Sequence, residues 1–223
     1  MGDKIKRELW RREYNFEVRA INGESGEAII TGRPIVYERT TNIGGMFNEV
    51  IDRGALDGTD LTDVRFLVNH NVDMIPLARS RRNNGNSTMK LTPDYEGLSL
   101  DFVKLDVENN ADARALYSAV QRGDISGMSF MFSIDGEEWE NLESEMPTRH
   151  ITKIGSVVEV SAVTFPAYED TEINARSEAA LESARSALES ARQQNANLVD
   201  TRAEDTELAL ELAKAKFQFN AKF

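Results

Sequence analysis

From Tyr14 to about Tyr168 the chain reads as short apolar–polar alternations broken by turn signals. Phe16-Glu17-Val18-Arg19-Ala20-Ile21 has the two-residue period of a half-buried strand. Asn22-Gly23 marks a turn, and Ala28-Ile29-Ile30 opens the next strand. Further strands are predicted at Val64–Val68, Ser87–Leu91, Leu98–Leu105, Met128–Ile134 and Val157–Phe165, with Asn83-Asn84-Gly85-Asn86 as a turn. One helix stands out. Asn110 caps Ala111–Arg122, whose Ala113, Leu116, Tyr117 and Val120 recur at helical spacing, and Gly123 ends it where a left-handed residue is needed. A second, shorter helix is expected near Arg53-Gly54-Ala55-Leu56. The pattern predicts a mainly β fold with some α: a closed or nearly closed antiparallel sheet with helices packed outside it.

After Asp170 the pattern changes. From Ser177 onward Ala, Glu, Leu, Arg and Ser dominate, without Pro or Gly. Ala180-Leu181-Glu182-Ser183-Ala184-Arg185 recurs seven residues later as Ala187-Leu188-Glu189-Ser190-Ala191-Arg192. Leu181, Leu188 and Asn195 share one seam position and Ala184, Ala191 and Leu198 the other. A strict seven-residue period favours left-handed helix pairing, hence a homo-oligomer through this helix. The competing reading is a single solvated helix, because an alanine-rich seam buries little.

Composition narrows the chemistry. The chain has 223 residues, 40% hydrophobic and 29% charged, enough for one substantial domain and an appendage. No apolar run approaches the ~20 residues of a membrane span. Met1–Arg12 carries five basic residues against Asp3 and Glu8 and has no apolar stretch of the secretory kind, so export is not expected. There is no cysteine, which removes disulfides, thiolate ligands and a cysteine nucleophile. Two histidines without HExxH spacing give no zinc motif. A net charge of −12 argues against nucleic acid as the main ligand. The acidic run Asp135–Glu145 reads as a solvated loop or an exposed strand edge.

Three segments hold candidate reactive groups. His70 follows the apolar Val64–Val68, where a sheet can fix its backbone while the imidazole faces a cleft as a general base. A structural, hydrogen-bonded histidine is the alternative. Ser129 opens an apolar strand just after Ser126-Gly127, where glycine lets another backbone approach closely. Its hydroxyl is a poor nucleophile without a base nearby. Glu159 lies mid-strand; if Val158, Val160 and Ala162 face one side, Glu159, Ser161 and Val163 face the other. On the imidazole's wall it would hold the tautomer; otherwise it is an exposed strand carboxylate. Ser126 is a competing nucleophile, and His150, beside polar Pro147-Thr148-Arg149, a competing third member.

Taken together, four blocks resemble the caudoviral prohead serine proteases, the capsid-maturation enzymes of tailed phages. They are Phe47-Asn48-Glu49-Val50-Ile51 with Arg53-Gly54-Ala55-Leu56; Val68-Asn69-His70-Asn71 with Pro76-Leu77-Ala78-Arg79; Gly123 to Phe132; and Glu159 to Tyr168. The likeness runs from about Tyr14 to Ile173. It implies a fold similar to the herpesvirus assembly protease, an antiparallel β-barrel flanked by helices, with His70, Ser129 and Glu159 as the catalytic residues. It further implies cleavage of the capsid protein's scaffolding segment and of the enzyme itself, within the procapsid in the host cytoplasm. No metal or organic cofactor is expected, and no nucleic acid or membrane partner. The chain then divides into a basic arm, residues 1–13, a protease domain, 14–174, and a helical tail, 175–223. The rival function is a non-catalytic assembly or scaffolding protein that keeps barrel and tail. Met131 and Ala78 stand where the family often has glycine.

Overall fold

A computed structural model describes residues 9–14, 18–23, 26–164 and 182–197. Eleven strands follow in chain order: β1 Trp10–Tyr14, β2 Arg19–Asn22, β3 Ala28–Val36, β4 Thr41–Ile43, β5 Phe47–Ile51, β6 Arg65–Val68, β7 Ala78–Arg79, β8 Met89–Pro93, β9 Gly97–Leu105, β10 Gly127–Glu140 and β11 Thr148–Val163. Helix α1, Ala111–Arg122, lies between β9 and β10, and a second helix, α2, covers 182–197. The predicted strand starting at Phe16 is seen from Arg19, since 15–17 lie outside the described residues. So do residues 1–8 of the basic stretch, and the seam residues Leu181 and Leu198.

The strands form a seven-stranded sheet and a four-stranded sheet, not a closed barrel. The larger has the order β1-β10-β11-β5-β4, with β6 also on β11 and β7 on β6; the smaller runs β2-β3-β9-β8. The reason lies in the 16-residue β11. One edge pairs with β10 throughout, while the other is divided between β5 at Thr148–Ile151 and β6 at Glu159–Ala162. Sharing one edge between two short strands forks the sheet instead of closing it. Both of these pairings are parallel, so the antiparallel expectation also fails there.

The core between the sheets takes alternate residues of the central strands. Met128, Phe130 and Phe132 of β10 and Val160 and Ala162 of β11 are fully buried in it, with Ile30, Leu98 and Val103, and Leu116 of α1 packs against them. Expectation and structure agree closely at α1: the Asn110 side chain accepts from the Asp112 and Ala113 N–H groups, and Gly123 is left-handed at φ 78°. The short helix near Arg53 does not form. Gly54 and Gly58 take φ 89° and 77°, so 53–58 is a chain of turns that still buries Ala55 and Leu56. The acidic run is partly strand, since β10 extends to Glu140 along an exposed edge. Ala184 and Leu188 of α2 are buried against Ile43 and Phe47, so this part of the heptad seam packs on its own body.

Candidate active site

The alternation that sends Phe130 and Phe132 inward puts Ser129 on the opposite face of β10. In the β10–β11 ladder Ser129 lies opposite Ser161, and Met131 opposite Glu159, so all four share that face. The ladder slips between Met131 and Phe132, whose partners are Glu159 and Val157. This bulge at Val158 is why Val157, not Val158 as the simple alternation required, joins the core. Glu159 keeps its expected side.

His70 reaches the same face by another route. β6 runs parallel to β11 with Val68 beside Ala162, and the chain then reverses. Asn69 and His70 are both left-handed, at φ 51° and 56°. Asparagine is among the few side chains that tolerate this, because it bonds locally. Here Asn69 Oδ1 accepts from the Thr164 N–H at 2.9 Å and Nδ2 donates to Thr164 Oγ1 at 3.0 Å, clasping the turn to the end of β11. The His70 N–H donates to Ser161 Oγ at 3.1 Å, which fixes the imidazole over the strand.

The imidazole bridges two groups. Nδ1 meets Glu159 Oε1, and Nε2 lies 2.5 Å from Ser129 Oγ. Ser161 donates to Glu159 Oε2 at 2.6 Å, so both carboxylate oxygens are engaged. With Nδ1 against a carboxylate, the neutral ring carries its proton there and offers the Nε2 lone pair to the serine. His70, Ser129, Glu159 and Ser161 are all buried, at 8%, 0%, 3% and 0% exposure. Such an array can move a proton off a hydroxyl and stabilise the resulting imidazolium. Beside the His70 turn, a groove of about 490 Å³ opens between Asn69, Asn71 and Met74 on one side and Leu116, Ala119 and Ile125 on the other.

The competing candidates stand elsewhere. Ser126 is exposed, ahead of β10. His150 pairs with Val50 in the ladder, bonds Asp52 Oδ1 through Nδ1 at 2.8 Å and faces Glu140 at 3.8 Å. The hydrogen bond with Asp52 holds the His150 imidazole above its ordinary pKa, against a smaller opposing effect of burial. Met131 is buried on the Ser129 face. Sequence reasoning put Ser161 on the Glu159 face but gave it no task; the two-residue offset from Glu159 was the signal. Among the described residues no group of three His, Asp or Glu is placed to hold a metal, and no helix is long and apolar enough to cross a membrane.

A family model described as caudovirus prohead serine protease matches residues 14–185. The chain belongs to that family. All four sequence blocks, His70 and the two groups it bridges lie within the matched span, so the prohead-protease family membership and the site geometry concern the same part of the molecule. The first four residues of β1 precede it, and α2 extends past it. No curated relative and no solved structure matches the chain.

Proposed function

We propose that this prohead-protease family member is a serine endopeptidase in which Ser129 is the nucleophile, His70 the general base and Glu159 the group that orients the imidazole. The observation that carries the reading is the single imidazole contacting both the Ser129 hydroxyl and the Glu159 carboxylate. Ser129 Oγ attacks a peptide carbonyl carbon as its proton passes to His70 Nε2. The C–N bond then breaks, the proton goes to the leaving amine, and an acyl-enzyme remains. Water, deprotonated by the same nitrogen, releases the new carboxyl end and restores the serine. The imidazolium of each step sits against Glu159, whose second oxygen Ser161 keeps in place.

Membership of the family supports capsid maturation as the setting: cleavage of the major capsid protein's scaffolding segment, and of the chain itself, inside the procapsid in the host cell. The helical tail would tether the enzyme to shell or scaffold, where effective concentration compensates for weak binding. Co-expression with the cognate capsid protein, read by intact mass, tests the reading. Wild type and Ser126→Ala are expected to cut, and Ser129→Ala not. Equal cutting by Ser129→Ala would overturn the assignment, and a wild type that never cuts capsid or itself would favour the scaffolding role.

A further inference from the structure

The nucleophile is shut away, and the element beside it is β1. This strand is the end member of its sheet, antiparallel to β10, with Arg12 opposite Phe130 and Glu13 opposite Ser129. The main-chain carbonyl of Arg12 accepts from Ser129 Oγ at 2.7 Å. The hydroxyl thus has one proton and two acceptors, this carbonyl and His70 Nε2. A proton held by the carbonyl is withheld from the base. The atom facing Oγ is the carbonyl oxygen at hydrogen-bond distance, so β1 blocks the serine instead of presenting a carbon for attack.

The Arg12 side chain is buried as well, at 5% exposure. Its guanidinium forks onto Glu49, with Nη2 at 2.6 Å from Oε2 and Nε on Oε1, and it lies 5.3 Å from the centre of the Trp10 ring and 5.9 Å from that of Phe132. Glu49 also faces Arg149 Nη1 at 3.5 Å, and Arg149 is held by Glu137. The carboxylate therefore keeps a cation beside it when Arg12 departs. An arginine whose carbonyl touches the nucleophile and whose side chain ends on a buried carboxylate makes the two contacts expected of the residue just before a scissile bond. Extended peptides commonly add to a free sheet edge, and removing β1 would leave that edge on β10.

We infer that β1 occupies the substrate's place in the resting chain, that an extended substrate segment replaces it along β10, and that Glu49 selects arginine immediately before the bond to be cut. The inference rests on Ser129 being the nucleophile. After the exchange, Ser129 Oγ bonds to the arginine carbonyl carbon, the C–N bond to the next residue breaks, and the Ser129 proton leaves on the amine by way of His70.

The experiment has two readouts on the full chain. Labelling by a fluorophosphonate, located by mass spectrometry, reports access to Ser129 without any peptide. Two fluorogenic peptides that differ only in Arg or Leu before the bond report selection. Arg12→Ala is expected to label about tenfold or more faster than wild type, the value of about one charge-assisted hydrogen bond. The arginine peptide is expected to be cut about tenfold or more faster than the leucine one, and Glu49→Gln to erase that preference. Should Arg12→Ala fail to fold, the peptide pair on wild type still decides. Ser129 that labels, with no preference for arginine or with no acceleration in a folded Arg12→Ala, overturns the roles given to Glu49 and β1 and leaves the nucleophile standing. Absence of label at Ser129 in every variant overturns the nucleophile, and this inference with it.

Discussion

Replacing Glu159 by glutamine removes a charge while keeping size and most contacts. The carboxylate is 3% exposed and its two oxygens serve His70 Nδ1 and the Ser161 hydroxyl. A full charge about 4 Å from a developing imidazolium is worth about 4 kcal/mol at an effective dielectric near 20, or about a thousandfold in rate. The tautomer adds to this. Ser161 still needs an acceptor, so the amide oxygen takes its hydroxyl and the amide NH₂ faces Nδ1. The ring is then driven to carry its proton on Nε2, toward Ser129, where a base is needed. In the Ser-His-Asp template the equivalent swap costs about 10⁴ in kcat. Glu159→Gln is therefore expected to slow single-turnover cleavage by about 10³ to 10⁴, with the serine and fold intact. The assay is a time course of capsid-precursor cleavage by intact mass, with thermal unfolding measured on the same preparations. A folded variant within about tenfold of wild type would refute the orienting role.

Ser161→Ala deprives the His70 N–H of its acceptor and Glu159 of a donor in a fully buried place. It is expected to cost about 1–3 kcal/mol in urea unfolding and about tenfold in turnover. Asn69→Ala is expected to be less stable than Asn69→Gly by about 1–2 kcal/mol, because both lose the clasp on Thr164 but only alanine bears the strain of φ 51°. Equal stabilities in paired urea melts would show that the backbone there is unstrained. Asp52→Asn is expected to lower the His150 pKa in an NMR titration of its ring protons. Because that pKa is raised in the folded chain, the pair's small contribution to stability is complete below the unfolded value of about 6.5 and fades as pH rises through the folded one. Asp52→Asn removes this fade, which melts on either side of neutrality detect.

Local rules sufficed for the helix from Ala111 to Arg122, because its cap, its stop and its apolar stripe are all written within a few residues of one another. They also sufficed to place Glu159 and Ser161 on the face opposite Val160 and Ala162, since side-chain direction along a regular strand depends only on the parity of position. Parity failed at Val158, where a bulge in β11, evident only from its pairing with β10, resets the count. The forked sheet was not legible either. Which short strand takes which stretch of the β11 edge is a choice among distant segments, and nothing in β5 or β6 alone records it. The meeting of His70 with residues 59 and 89 positions away is likewise decided by β6 lying beside β11 and by the left-handed turn that follows. So is the burial of Arg12 against Glu49, two charges that seem ordinary surface residues in the sequence. The sequence alone determined the capped helix and the shared side of Glu159 and Ser161; only long-range strand pairing, which carries no local signature, brought the chemical groups within bonding distance.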